Sequence, residues 1–244
     1  MSADESCDPG SVPTPSGVLI IDKQPGFTSM DVCAIVRTRL RRGGAPKRIK
    51  VGHAGTLDPL ATGVLVVLVG RATRAVNALM ATEKEYGATV DLSRRSTSDD
   101  LGGEVSDVPV ERPPERAAVE AALERFRGVV MQTPPQFSAM KVGGRRAYAL
   151  AREGEHAPLA ARPVEIFAIE LRAYAWPLVE LHVRCGKGVY IRSLARDLGS
   201  ALGTGGLLTA LRRTRVGEFA IGASRTLDQL PGVLTQENLQ ALGA

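Results

Sequence analysis

The chain has 244 residues, 44% of them hydrophobic, with 31 Lys and Arg against 26 Asp and Glu and a formal net charge of +5. That length suits one large domain or a domain with a small appendage, and no apolar run reaches the length of a membrane span. Cys7, Cys33 and Cys185 are odd in number, far apart and form no C-x-x-C pair, which argues against a disulfide framework or zinc site and fits a reducing cytoplasm.

In chain order, the acidic Pro/Gly/Ser-rich opening lacks the basic and apolar regions of a signal peptide. It predicts a disordered leader over residues 1–16. GVLIIDK reads as a buried strand. Thr28 or Ser29 then caps a helix with Asp31 in its first turn and Val32, Ile35, Val36 and Leu40 on one face. The run RTRLRRGGAPKRIK, Arg37 to Lys50, is basic with no acid. Such a run is commonly a solvated helix end, but its place directly before GHAGTLDPLATGVL favours nucleic-acid phosphate contact.

GVLVVLVG predicts a central strand, and RATRAVNALM a helix with Ala72, Val76, Leu79 and Met80 inward. YGATVDLS predicts another strand, RRSTSDDLGG a polar loop, and PPERAAVEAALERFRG the clearest helix. MQTPPQFSAMKVGGRRAY, with little periodicity, reads as a long functional loop leading into a short helix, AYALAREG. RPVEIFAIELRAYAWPLVELHVRCGKG alternates as a hairpin turning at Trp176-Pro177. Ile191, Leu194, Leu198 and Leu202 make the next helix amphipathic. A helix around LLTALRR, a strand around VGEFAIG and a short tail of helical character complete the chain. Strands and helices without a regular alternation predict an α+β fold, with a mixed, mainly antiparallel central sheet flanked by helices.

Asp58 stands before Pro59, which biases it to extended backbone, with Gly55 and Gly63 permitting tight turns on either side. Local rules leave it as an Asx-turn or cap residue or as a lone carboxylate nucleophile. One carboxylate cannot supply a calcium shell, no P-loop Gly-Lys-Ser/Thr follows, and glycosidase chemistry needs two carboxylates.

The whole set of motifs decides between these. GHAGTLDPLATGVLVVLVGRATR resembles the catalytic segment of the TruB family of RNA pseudouridine synthases. GVLIIDKQPGFTSMDV, the KEY of Lys84 to Tyr86, TPPQFSAMKVGGRRAYALAREG, CGKGVYIRSLARDLG and LRRTRVGEF resemble the family's remaining blocks, in order, across about residues 17 to 220.

The resemblance implies isomerisation of uridine to pseudouridine, at position 55 in the T-loop of tRNA, with no cofactor and no metal. It implies a catalytic Asp58, an Arg192 that pairs with it, and a Tyr86 that stacks on the target base. Tyr190 and Leu211 would line the pocket, His53 would hold the RNA open after base flipping, and Lys23 would support the pocket or a phosphate. Arg41, Arg42, Lys47, Lys141, Arg145 and Arg146 are candidate RNA-backbone contacts.

Phe137 stands where the family has tyrosine, Gly186 and Val189 where Ser and Thr are common, and RRSTSDDLGG matches T-D-T-x-D-x-x-G only loosely. The expected organisation is a catalytic domain over 17–224 with an RNA-gripping insertion about 131–160. A short tail over 225–244 would follow, with no C-terminal PUA domain. The expected partner is the tRNA T-arm, with no membrane and no obligate protein partner, for a cytoplasmic monomer. Guide-RNA-dependent modification, another RNA target, or a tRNA-folding chaperone role are the alternatives.

Overall fold

A computed structural model describes residues 14–138, 140–155 and 157–242; nearly all of the expected leader, 1–13, lies outside them. The strands are β1 (Gly17–Lys23), β2 (Val51–His53), β3 (Thr62–Val69), β4 (Lys84–Asp91), β5 (Arg94–Ser96), β6 (Val105–Asp107), β7 (Gly128–Gln132), β8 (Lys141–Val142), β9 (Arg145–Arg146), β10 (Arg162–Ala175), β11 (Leu178–Cys185), β12 (Leu207–Val216) and β13 (Phe219–Ala220). The helices are α1 (Ser29–Arg42), α2 (Val76–Ala81), α3 (Arg116–Glu124), α4 (Ala147–Arg152) and α5 (Ile191–Leu202). None is long and apolar enough to cross a membrane.

Among the described residues one nine-stranded sheet runs β1-β3-β12-β4-β11-β10-β7, with β2 added to β3 and β13 to β12. Every pairing is antiparallel except β12 with β3, which sets Arg212 beside Thr62 and Arg213 beside Gly63. This is the expected mixed, mainly antiparallel α+β sheet. Its larger core buries Val32, Val36 and Leu40 of α1, Val119 of α3 and Leu194 and Leu198 of α5 against one face. Val18, Ile20, Val64, Val66 and Leu68 face a second cluster beneath residues 70–81.

Local signals explain most elements. Thr28 caps α1 by accepting from the Asp31 N–H at 3.1 Å, while Asp31 accepts from the Thr28 N–H at 2.8 Å. The β10–β11 hairpin turns through a cis Trp176-Pro177 bond, where the sequence places it.

Four expectations are corrected. LLTALRR is not a helix but most of β12, in the middle of the sheet, where pairing with β3 and β4 outweighs a leucine spacing that looks helical. The tail is irregular apart from one 3-10 turn, Gln236–Asn238. It runs back over β1, where Gln240 pairs with Val18 and Arg225 with Ile21, and it buries Leu227, Leu230, Leu234 and Leu239 in the larger core. Met80 is exposed, whereas Ala72, Val76 and Leu79 pack against the second cluster as expected, since Met80 stands one residue from the end of the short α2, beyond the reach of that cluster. RRSTSDDLGG is largely the β5–β6 hairpin and its tip.

Cys33 and Cys185 are buried, and burial pushes their thiols up to about 11 and about 12, so neither is a ready nucleophile.

Candidate active site

The loop between β2 and β3 carries Asp58, and backbone contacts hold it from two sides. Ser29, next to the α1 cap, accepts from the Leu57 N–H at 2.8 Å and donates to the Leu57 carbonyl at 3.1 Å. The Gly26 N–H reaches the Pro59 carbonyl at 2.9 Å, and the Ala61 N–H closes a turn onto the Asp58 carbonyl at 3.0 Å. Gly63 has φ 98°, and a Cβ there would lie 2.1 Å from the Arg213 carbonyl, so glycine is required where β3 meets β12.

Lys23 is fully buried. Its ammonium donates to the carbonyls of Gln24 at 3.0 Å, Phe27 at 2.8 Å and Pro59 at 3.3 Å. Burial lowers it to about 8; Asp58 pulls the other way and Arg213 adds to the fall. This corrects the phosphate option: the ammonium has no surface to offer an RNA phosphate, and it braces the turn after Asp58 instead.

Arg192 arrives from the first turn of α5. Ile191, Leu194 and Leu198 of that helix are buried, each contributing roughly 1.5–3 kcal/mol, so its register is firmly set. The guanidinium, 5% exposed, grips Asp58 with both edges of its fork, Nε to Oδ2 at 3.0 Å and Nη2 to Oδ1 at 3.2 Å. Nη2 also donates to the Phe137 carbonyl at 3.0 Å and Nη1 to the Ser98 carbonyl at 3.2 Å. Nη1 lies 3.6 Å from Asp100 Oδ2.

The Asp58 side chain is 32% exposed, so one side meets the arginine and the other faces the opening. Burial pushes its carboxyl above the ordinary range, Arg192 pulls it back, and Asp100 adds to the rise.

Asp100 is the site residue that sequence reasoning missed. Its only signal was the loose likeness of RRSTSDDLGG to a family loop. It is buried, and its Oδ1 accepts from Ser98 Oγ at 2.6 Å and the Gly102 N–H at 2.9 Å. Asp99, with φ 64°, turns the hairpin tip so that it meets Arg196 at 2.8 Å while Asp100 faces Arg192, one helical turn away.

Tyr86 lies on β4 on the same sheet face as Ala88 and Leu211, with its ring partly exposed. Burial raises its hydroxyl, and Arg213 opposes the rise. Leu211 is buried on β12 opposite Ala88. Tyr190 precedes α5; its backbone is clamped by Gln132 at 2.8 and 3.1 Å, and the Arg162 guanidinium lies 5.5 Å from its ring centroid. His53 ends β2; burial and Arg213 lower its pKa, which favours the neutral imidazole, and the Gly55 backbone opposes this.

The basic candidates divide. Arg37 bonds the Val51 carbonyl at 3.0 Å and Arg39 the Leu227 carbonyl at 2.7 Å, so both are used by the fold. Arg41 donates to the Lys47 carbonyl, and Arg41, Arg42 and Lys47 are exposed. Arg145 is paired with Glu153 at 2.5 Å and Glu155 at 3.7 Å, so its charge is already engaged. The side chains of Lys141 and Arg146 lie outside what is described. Exposed Arg48, Lys50, Arg71 and Arg74 line one cavity of about 570 Å³ near the end of β3 remote from Asp58. Seven residues of strand, about 23 Å, separate that end from the Asp58 end.

With the geometry described, likeness to known proteins becomes informative. A family model for TruB family pseudouridylate synthase (N terminal domain) matches residues 42–191, and one for the tRNA pseudouridylate synthase B C-terminal domain matches 192–242. The boundary falls between Ile191 and Arg192, so the two matched regions supply opposite halves of the Asp58–Arg192 pair.

The chain is 48% identical over 231 residues to "tRNA pseudouridine synthase B" of Thermobifida fusca, covering 90% of this chain and 75% of that one. It is 48% identical over 221 residues to the protein of the same name in Mycobacterium bovis, covering 89% and 72%. Among solved structures it resembles a chain of a Cbf5-Nop10-Gar1 complex with TM-score 0.64 and 33% identity, covering 88% of this chain and 53% of that one. It also resembles a chain of an H/ACA RNP bound to a substrate RNA containing 2'-deoxyuridine, with TM-score 0.62 and 29% identity, covering 93% and 60%. The chain thus spans between half and two thirds of the length of those structural relatives.

Proposed function

The chain belongs to the TruB family of pseudouridylate synthases, and from that premise we propose that it converts uridine 55 in the T-loop of tRNA, acting through Asp58 without a protein partner. Isomerisation of uridine to pseudouridine in tRNA is the activity of the family and of the named relatives; the position in tRNA and the residue roles are the proposal.

The reaction breaks the N1–C1′ bond, turns the base while it stays bound, joins C5 to C1′, and moves the C5 proton off as N1 gains one. Atoms balance within the nucleoside. Three demands follow: a carboxylate close to the sugar and base, a surface on which a detached base can turn, and a way to hold an extruded nucleotide.

The observation that carries the reading is the two-point grip of buried Arg192 on a carboxyl that remains one third exposed on its other side. An arginine is always charged, so it favours the carboxylate form of Asp58 against desolvation and leaves the open side for the nucleoside. The partly exposed ring of Tyr86 supports a stacking role, since a ring face holds a rotating base without fixed hydrogen bonds. Leu211 supports an apolar wall on the same face. The position of His53 at the end of β2, three residues beyond Lys50 of the basic cavity, supports a role facing the RNA from which the base has left.

The test is to incubate the purified chain alone with a T-arm hairpin transcript and map pseudouridine. Product at position 55, lost in Asp58→Asn, is the expected result. No product until accessory proteins or a guide RNA are added would overturn the stand-alone reading. An Asp58→Asn protein that still refolds tRNA would assign the chaperone role to binding alone.

A further inference from the structure

We infer that Arg213 is a positioning residue that ties the Asp58 loop to the Tyr86 ring, so that the carboxylate and the stacking surface are held as one unit. The inference rests on the reading of Asp58 and Tyr86 given above. Arg213 is 1% exposed and among the largest fully buried side chains of the protein. A buried guanidinium is costly unless its N–H groups find acceptors, and a core position that only needed volume would be served as well by an apolar residue.

The acceptors it uses are specific. Nε donates to the Val64 carbonyl at 2.7 Å, Nη1 to the Thr56 carbonyl at 3.4 Å and Nη2 to the Gly55 carbonyl at 3.0 Å. All three belong to the segment 55–64 that carries Asp58. Across the sheet, Arg213 stands directly opposite Tyr86, and its charge opposes the rise that burial imposes on the Tyr86 hydroxyl. On its other side it is paired with Gly63, where backbone approaches too closely for any Cβ.

Arg213 therefore binds the backbone of the segment that carries Asp58 while standing opposite Tyr86 in the sheet, and the carboxylate itself belongs to Arg192. The fork of an arginine can satisfy separate acceptors at fixed angles, which a lysine ammonium cannot. A site whose supporting groups loosen by a fraction of an ångström loses rate before it loses binding.

The test is a double-mutant cycle on the full chain with a T-arm transcript, measuring single-turnover rate and KM for wild type, Arg213→Lys, Tyr86→Phe and the double variant. Arg213→Lys is expected to slow turnover about 10- to 100-fold with KM changed less than threefold. In the Tyr86→Phe background the same change is expected to cost at least fivefold less, because the hydroxyl it acts on is gone. Equal fold-losses in both backgrounds, or a loss confined to KM, would overturn the inference.

Should Arg213→Lys not fold, ¹⁵N spectra of the guanidinium groups carry the test. Resolved, slowly rotating Nη signals of Arg213 in wild type should shift and collapse in Tyr86→Phe, and an unchanged Arg213 spectrum overturns the link. Asp58→Asn serves as control. If it keeps its turnover, the underlying reading of the site fails; if it is inactive while the cycle is additive, only the role of Arg213 fails.

Discussion

Arg192 holds both oxygens of Asp58 across 134 residues of chain, at 3.0 and 3.2 Å, while its remaining N–H groups are taken by Ser98, Phe137 and Asp100. A single ammonium cannot reproduce that fork. Arg192→Lys is therefore expected to lower turnover on the order of 100-fold, with RNA affinity within a few fold. Arg192→Met leaves two carboxylates without their cation and should also cost about 3 kcal/mol in urea unfolding. Normal turnover in Arg192→Lys would remove the two-point grip from the mechanism.

Asp100 steadies Arg192 from behind and holds its own hairpin tip through Ser98 Oγ and the Gly102 N–H. Asp100→Ala should slow turnover by roughly tenfold or more and cost about 1–3 kcal/mol, because buried donors lose their acceptor. Measured turnover and melts separate the two effects. A variant that is destabilised but turns over at the wild-type rate at a temperature where it is folded would confine Asp100 to the fold.

Lys23 offers a pH test with a definite sign. Its folded pKa is about 8, below the unfolded value of about 10.4. Between those values the unfolded chain binds more protons, so raising the pH through that window favours the folded state, by up to about 3 kcal/mol. Lys23→Met lacks this contribution. The stability of wild type relative to Lys23→Met, from urea unfolding at pH 7.5, 9 and 10.2, should therefore rise with pH. A difference that stays flat would mean that the Lys23 pKa is not depressed.

Tyr86→Ala removes the ring that the rotating base would lie on. Base–aromatic stacking is worth about 1–3 kcal/mol, yet the loss of rate should exceed what binding alone accounts for, since the ring also directs the base. Turnover is expected to fall by roughly a thousandfold or more, and near-normal turnover would remove Tyr86 from the reaction.

The basic surface predicts a salt effect. Neutralising Arg48, Lys50, Arg71 and Arg74, the exposed cations of one cavity, should flatten the slope of log affinity against log salt by nearly one unit for each phosphate that is no longer neutralised. Neutralising Arg41, Arg42 and Lys47 tests the exposed end of α1 in the same way. Arg145→Gln should change the slope little, because that charge is already paired with Glu153 and Glu155. A slope unmoved by the first set would mean that the cavity stays clear of the RNA backbone.

Much of the fold was legible because it is locally written. The apolar faces of α1, α3 and α5, the cap at Thr28 and the hairpin at Trp176-Pro177 each depend on residues within a few positions of one another. LLTALRR misleads because Leu207, Leu208 and Leu211 are spaced like a helix face. Only the flanking strands β3 and β4 make that stretch a strand. The tail looks helical for a related reason: its leucines are ordered by β1 and α1, which no local rule sees.

The site divides the same way. By itself the sequence determined which residue types are present and in what order, enough for Asp58, Tyr86 and Arg192 to be named by family resemblance. Local rules alone left Asp58 a turn former. Tertiary structure decided that Arg192 meets Asp58, that Asp100 stands behind Arg192, that Lys23 braces the turn out of solvent's reach, and that Arg213 binds the Gly55 carbonyl while standing opposite Tyr86. The reason is physical. Periodicity and capping act over one or two turns of chain, whereas a buried ion pair 134 residues apart exists only once the sheet has brought β3, β12 and β4 together and α5 has packed upon them.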